Sequence, residues 1–266
     1  MDFTLVLKAI LLGLVEGATE FLPVSSTGHL IIVGDLLQFL SKEKRDVFEI
    51  VIQLGSILAV CWLYHTRLLK VVSSIKDDTQ SQRFVLQLFV GFLPLALIGL
   101  KFHHQIKAAL FKPVPVAIAL IVGGLLILLI EKISPRVTVS NIASMTVLDA
   151  FKIGCAQSLA LIPGVSRSGA TILGGMSFGL SRQVATEFSF FLAIPVMFAA
   201  SAYDLLKNRD LLTADDAGLF LLGFIAAFLS ALVAIKSLIR YVAGHDFRVF
   251  AWYRIALGIG VIVYFW

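Results

Sequence analysis

The chain has 266 residues, of which 59% are hydrophobic and only 15% charged, and a mean hydropathy of +0.95. A soluble domain cannot hide that much apolar surface behind a water-facing exterior, so a soluble globular protein is excluded. The formal charge of +5 comes without a compact basic and aromatic stripe, which argues against nucleic-acid binding; in a lipid-embedded chain, Lys and Arg collect in loops beside anionic headgroups.

Divided into spans of about 20 apolar residues, the chain reads as an all-α polytopic membrane protein. Apolar stretches lie near 3–15, 21–40, 47–64, 84–101, 114–131, 150–180, 187–206, 217–239 and 249–266. No basic n-region followed by a small-residue cleavage site opens the chain, so a cleaved signal peptide is not expected. Cys61 and Cys155 both fall in apolar runs, where a buried thiol is the expectation and no disulfide or metal framework is implied. A polar loop is expected near 65–83, with Arg67, Lys70, Lys76, Asp77, Asp78 and Arg83, and another near 204–216, with Asp204, Lys207, Arg209, Asp210, Asp215 and Asp216. Pro94 and Pro195 sit inside apolar runs and are expected to kink helices. Basic residues occur in loops of both parities, so their count does not fix the orientation.

Two stretches depart from this pattern: VEGATEFLPVSSTGHLIIVGDLLQF (15–39) and CAQSLALIPGVSRSGATILGGMSFGL (155–180). Each has an apolar half, a Pro, a Ser/Thr/Gly cluster and a second apolar half, and each half is too short to cross about 30 Å of hydrocarbon. Half-helices joined by a polar break are the form of a re-entrant hairpin, tolerated where protein or water covers the exposed backbone. The two breaks match each other. Phe21-Leu22-Pro23-Val24-Ser25-Ser26-Thr27-Gly28 aligns with Leu161-Ile162-Pro163-Gly164-Val165-Ser166-Arg167-Ser168-Gly169, with one extra Gly in the second copy. This predicts an internal repeat, residues 1–113 and 114–266, with a site between the halves near the membrane interior.

The breaks carry the candidate chemistry. Ser25, Ser26 and Thr27 precede one apolar half-helix, and Ser166, Arg167 and Ser168 precede the other. A capped helix N-terminus presents free N–H groups and attracts phosphate. Arg167 adds a planar fork suited to two phosphate oxygens, and an Arg inside an apolar region points to a function; the bland reading is that both clusters are caps and Arg167 snorkels. Glu16 and Glu20 share a helix face four residues apart, where they repel unless a cation bridges them or one is protonated. A divalent metal that also binds a diphosphate meets both needs; a carboxylate pair at a wet interface is the alternative. His29 follows the first cluster and suits a general acid, a general base or a nucleophile. Asp35, Glu49, Gln53 and Glu187 are further polar groups in apolar runs, either helix-start anions or support for the site. His65, His103, His104 and His245 lie near loops and look bland.

EGATEFLPVSSTGHL (16–30) and PGVSRSGATI (163–172) resemble the two signature segments of the BacA-type undecaprenyl-diphosphate phosphatases, the bacitracin-resistance proteins of bacteria. FEIVIQLGSILAV (48–60) and the EFSFFLAIP run (187–195) extend the resemblance over essentially the whole chain. It implies removal of one phosphate from undecaprenyl diphosphate, giving the monophosphate carrier of cell-wall synthesis. It also implies a multi-pass protein of the bacterial inner membrane with interlocked inverted repeats, two re-entrant hairpins and a site open to the outer, periplasmic side. Dependence on a divalent cation is implied, with Mg²⁺ expected and Ca²⁺ as the alternative. Carried over by motif, Glu16 and Glu20 are the metal-binding acidic pair. Ser26, His29, Glu20 and Arg167 are the catalytic group, and Ser25, Thr27, Ser166, Thr171 and Arg167 bind substrate. The partners implied are a polyprenyl diphosphate and membrane lipids, with a homodimer left open. Ser26 is the preferred nucleophile, its proton going to His29 or Glu20, while attack by water or by His29 stays open. The rival reading is a secondary transporter or flippase for a phosphorylated polyprenyl lipid, since broken helices in repeats are also transporter features.

Overall fold

The computed structural model describes residues 2–211 and 216–265, apart from the side chains of residues 103, 104, 107, 108 and 209. Asp215 and the side chains of Arg209, His103 and His104, singled out above, therefore lie outside what is described. The helices are α1 (Phe3–Thr19), α2 (Ser26–Leu37), α3 (Lys42–Leu63), α4 (His65–Ser74), α5 (Thr79–Leu110), α6 (Pro113–Ile133), α7 (Val147–Gln157), α8 (Arg167–Ser177), α9 (Arg182–Lys207), α10 (Ala217–Val242) and α11 (Arg248–Phe265). No strand occurs among the described residues; the nearest approach is one parallel bridge between Val139 and Leu180. Six helices, α3, α5, α6, α9, α10 and α11, are long and apolar enough to cross a membrane. The chain is an all-α, multi-pass membrane protein.

Local chemistry sets the helix starts. Asp2 caps α1 by accepting from the Thr4 N–H (3.0 Å), Ser41 caps α3, and Ser181 caps α9. Thr146 and Asp149 form a reciprocal capping box at α7. Pro94 and Pro195 lie inside α5 and α9, as expected, where each removes one ladder donor.

Close backbone approach locks the bundle. A Cβ on Gly13 would lie 2.3 Å from the Gly223 carbonyl oxygen, and one on Gly17 would lie 2.2 Å from that of Ala227. Helices α1 and α10 therefore run parallel in near contact, the small-residue packing that membrane helices use in place of a hydrophobic driving force. Helices α6 and α11 run antiparallel, with Gly124 against Ala251 and Gly258 against Ala117. Around these seams, aromatic edges fill the interior: Phe21 on Phe190, and both Tyr64 and Phe84 on Phe191.

Polar ties mark the two ends of the bundle. At the first face, which holds the starts of α1, α3 and α10, Lys44 Nζ meets Asp216 Oδ2 at 2.6 Å. At the second face, Arg67 pairs with Glu187 (2.9 Å), and Arg83 and Gln87 both donate to the Met145 carbonyl (2.7 Å each). There too, buried Glu131 accepts from Arg182 and from the Phe247 N–H.

Two expectations need correction, the loop near 65–83 and the burial of the cysteines. The stretch near 65–83 is not simply a loop, because α4 occupies its first half: Leu68 and Val71 pack onto the core while Leu69 and Val72 stay exposed, a two-turn amphipathic pattern. The stretch at 155–180 is, as expected, two short helices separated by a break: α7 ends at Gln157, a 3₁₀ turn follows, and α8 begins at Arg167 beyond Pro163 and Gly164. Cys155 is exposed rather than buried, and Cys61 is half-buried; an apolar neighbourhood in a membrane protein is as readily lipid as core.

Candidate active site

The two breaks are built alike. Helix α1 ends at Thr19 and α2 begins at Ser26; the residue before α2, Ser25, has φ 69° and ψ 95°. Ser166, the residue before α8, has φ 74° and ψ 118°. A side-chain-bearing residue is rarely held at positive φ, at a cost of roughly 1–3 kcal/mol, and such strain collects at functional sites. Finding it at the same repeat position twice makes the two turns one local design. The extra residue of the second copy, Gly164, has φ 94°, and a Cβ there would lie 2.6 Å from the Val116 carbonyl oxygen, so only glycine fits.

The breaks, about 140 positions apart in sequence, meet in one buried cluster. Arg167 Nη2 donates to Glu20 Oε1 at 3.0 Å, and Ser26 Oγ donates to Glu20 Oε2 at 2.5 Å. One carboxylate therefore joins the first residue of α2 to the first residue of α8. Ser168 Oγ donates to the Leu22 carbonyl (2.7 Å), stitching the second break to the first. The Arg167 guanidinium lies 5.4 Å from the Phe21 ring centre and donates from Nη1 to the Ser189 carbonyl (3.1 Å), which fixes its plane. Its Nε is buried without an acceptor among the described residues.

Glu16 is 1% exposed, and neither of its carboxylate oxygens finds a donor among the described residues. The charges acting on it are those of Glu20, Glu49 and Arg167. Two unmet carboxyl oxygens beside a second carboxylate are a poor fit to an apolar core, which either a cation or a shared proton relieves. Among the described residues no three His, Cys, Asp or Glu side chains gather to cage a metal. The donor set suits a hard divalent ion held by one or two carboxylates, with phosphate oxygens and water completing its shell.

The remaining candidates fall around this cluster. His29 Nδ1 lies 2.8 Å from the Ser25 carbonyl, which can only accept, so Nδ1 carries a proton; in the neutral ring Nε2 then accepts from Tyr253 Oη at 2.6 Å. Both nitrogens are thus engaged by groups other than the Ser26 hydroxyl, and the ring stacks on that of Tyr253. Ser25 stands at the start of α2 without using its hydroxyl as a cap, whereas Ser166 Oγ accepts from the Gly169 N–H (3.1 Å) and lies 3.0 Å from Ser168 Oγ. Half-buried Thr27 follows Ser26 in the first turn of α2. Thr171 is fully buried and spends its hydroxyl on the Arg167 and Ser168 carbonyls and on Ser189 Oγ (2.6 Å), below the cluster rather than in it. Asp35 is exposed and Gln53 half-buried, Glu49 lies 3.9 Å from Arg45, and Glu187 belongs to the second face.

Arg254, in α11, was not picked out by the sequence reading. It is fully buried and donates to the Pro23 carbonyl of the first break (3.1 Å) and to the Gly164 and Val165 carbonyls of the second (2.9 and 3.0 Å). It also donates to Ala119 and Leu120 of α6. The signal was available, since Arg254 interrupts an apolar run as Arg167 does. Tyr253 and Ser189 gave no such signal, because neither differs in pattern from an ordinary helix residue.

Ser, Glu and Arg converging on two strained helix starts inside an apolar bundle define an integral membrane protein with a polar cluster within its core. The family described as bacitracin resistance protein BacA matches residues 9–260, and the chain belongs to it. It is 62% identical, over the full length of both chains, to an undecaprenyl-diphosphatase of Methylobacillus flagellatus. It is 61% identical to undecaprenyl-diphosphatase 2 of Rhodospirillum rubrum, over all of this chain and 97% of that one. A Nitrosospira multiformis undecaprenyl-diphosphatase is 60% identical, over 99% and 96%.

Proposed function

We propose that this chain hydrolyses undecaprenyl diphosphate to undecaprenyl phosphate and inorganic phosphate, with the cluster of Ser26, Glu20 and Arg167 as its reaction centre. The relatives that carry that activity in their names cover the whole chain and favour the enzyme over a transporter or flippase. The observation that carries the site is the single Glu20 carboxylate bound at once by Ser26 Oγ and the Arg167 fork.

Phosphoryl transfer asks a protein mainly for positioning and charge. Ser26 already donates its proton toward Glu20, so Glu20 rather than His29 is placed to take it as Oγ attacks the terminal phosphorus. The bridging P–O bond breaks and undecaprenyl phosphate leaves. Water then cleaves the phosphoserine, releasing phosphate and restoring the Ser26 hydroxyl. Arg167, with an unmet buried Nε and a fixed plane, stabilises the equatorial oxygens of the transferring group. Ser25, Thr27 and Ser166, with the first-turn N–H groups of α2 and α8, bind the remaining phosphate oxygens. His29 and Tyr253 hold the first turn of α2 in place. Thr171 acts from below by fixing Ser189, whose carbonyl orients Arg167. Glu16 and Glu20 would hold a divalent cation, Mg²⁺ or Ca²⁺, which supplies charge neutralisation to the diphosphate.

The same reading takes α1–α2 and α7–α8 as re-entrant hairpins of an inverted repeat divided near residue 113. Three features support it. The hairpins turn at equivalent strained serines; α1 starts at the first face while α7 starts at the second, beside Met145; and α2, α7 and α8, at 12, 11 and 11 residues, are too short to span. The second face gathers Arg67, Lys70, Lys76, Arg83, Lys132, Arg136, Arg182, Arg240 and Arg248, against Lys42, Lys44, Arg45, Lys112 and Lys207 at the first. By the positive-inside bias the second face is cytoplasmic, and the α1–α2 hairpin enters from the periplasmic side of the inner membrane.

The test is phosphate release from undecaprenyl diphosphate by the purified protein in detergent, with and without chelator. Expected results are release by the wild type, its loss with chelator, and a fall of at least about a thousandfold in Ser26→Ala, with ³²P retained on Ser26 in a quenched wild-type reaction. Full activity of Ser26→Ala would hand the attack to water or to His29, and a wild type that releases no phosphate would remove the enzyme reading altogether.

A further inference from the structure

Away from the reaction centre, at the second face, a cavity of about 380 Å³ opens between α4, the start of α5 and the segment before α7. Arg67, Lys70 and Arg83 line it, with Gln80, Ser81 and Gln87 as further polar groups. Asp78 lines the cavity as well and Glu187 stands beside Arg67, and both carboxylates are engaged. Asp78 accepts from the Gln80 and Ser81 N–H groups (3.1 Å each) and from Ser81 Oγ (2.7 Å), bonds that hold its carboxyl below the usual carboxylate range. Glu187 pairs with Arg67 through one guanidinium nitrogen.

The cations keep donors to spare. The Arg67 Cζ lies 5.0 and 4.6 Å from the ring centres of Phe84 and Phe191, and its bond to Glu187 uses Nη1. Arg83 spends one of its five N–H groups on the Met145 carbonyl, a bond that Gln87 duplicates. Lys70 is exposed and makes no hydrogen-bonded ion pair among the described residues, though its charge acts on Asp78. Beside that mouth, α4 presents Leu69 and Val72, which are 65% and 71% exposed, with no residue of α4 fully buried. A short helix with exposed leucine and valine on one face and lysine on another lies in the membrane interface, where acyl chains meet phosphates.

We infer that this cavity is a second phosphate site, which takes the headgroup phosphate of an anionic lipid while Leu69 and Val72 rest against its acyl chains. Two forked guanidiniums and an ammonium around a polar hollow match a phosphodiester oxygen set, and basic pockets between membrane helices are the known setting for such headgroups. The site is separate from the reaction centre, and neither Lys70 nor Arg83 belongs to the catalytic cluster.

The experiment is native mass spectrometry of the full-length protein in detergent, titrated separately with phosphatidylglycerol, phosphatidylcholine and inorganic phosphate. The comparison protein is the double variant Lys70→Gln, Arg83→Gln. The wild type should retain phosphatidylglycerol in preference to phosphatidylcholine. The double variant should bind phosphatidylglycerol about thirtyfold more weakly, roughly fivefold for each cation removed beside an anionic headgroup. Phosphate release from undecaprenyl diphosphate in detergent should be unchanged, which confirms that the variant is folded and sets this result apart from any failure of the catalytic reading. Equal retention of the two lipids, an unaltered affinity in the double variant, or capture of inorganic phosphate without lipid would each overturn the assignment.

Discussion

Two buried arginines bring the breaks together by different means. Arg167 contributes a fork: one nitrogen on Glu20, another on Ser189, and Nε unmet. Arg167→Lys keeps the charge but replaces three directed donor positions with a point charge, so kcat/KM should fall by about a hundredfold or more, as when one oxyanion donor is removed. Steady-state phosphate release measures this, and a variant within a few-fold of wild type would show that charge alone suffices. Arg254 meets only backbone carbonyls, three of them in the breaks. Its substitution by Lys should lower kcat more than it raises KM, because both helix starts lose their shared anchor while no phosphate contact is removed. It should also lower Tm, since buried carbonyls left without donors cost about 1–3 kcal/mol each. Loss of stability with kcat untouched would limit Arg254 to holding the fold. Of these residues, Glu16, Glu20, Ser26 and Arg167 were legible in the sequence, because a charge or hydroxyl cluster in an apolar run stands out. The orientation of His29 toward Tyr253 was not, because it depends on a helix 224 positions away.

At the level of elements, the two breaks share a backbone geometry and differ in the side chains they carry. Aligned on their strained serines, the copies place Ser26 opposite Arg167 at the first position of α2 and α8. The acidic pair has no counterpart: Glu16 and Glu20 align with Ala156 and Ala160. Two like turns thus give two helix starts, one break carrying Ser26 with Glu16 and Glu20 and the other carrying Arg167. The turns could be read from Pro, Ser and Gly in register. Helix α4 could not, because ten residues of mixed polarity give too short a period to separate from a loop. The hairpin depends on α1 lying tight against α10. Gly17→Ala would drive a methyl into the Ala227 carbonyl, and it should destabilise the protein by about 1–3 kcal/mol, the usual cost of overpacking. Gly244→Ala, where a Cβ meets nothing within 4 Å, is the matched control and should leave Tm unchanged. Equal Tm values for the two variants in detergent would mean that the α1–α10 seam yields.

For the molecule as a whole, composition fixed the solvent and the spacing of apolar runs fixed most of the spans, yet neither determined how many runs cross. Runs at 21–40 and 150–180 have the length of spans and are hairpins or broken helices instead, a distinction made by a Pro and a few hydroxyls rather than by hydropathy. The distinction has a consequence for topology that can be measured. In the proposed topology, six crossing helices with two hairpins that return to their own face put the start of α1 and the end of α11 at the first face, and the α4–α5 corner at the second. Single cysteines placed at Asp2, at Lys76 and after the last residue, in a background without Cys61 and Cys155, report this through an impermeant thiol reagent on intact cells. If the proposed orientation holds, with the basic corner cytoplasmic, the two terminal positions should label together and Lys76→Cys should not. Labelling at one terminus but not the other requires an odd number of crossings, which would turn one hairpin into a span. That would carry one of the two strained serines out of reach of the other and separate Ser26 from Arg167.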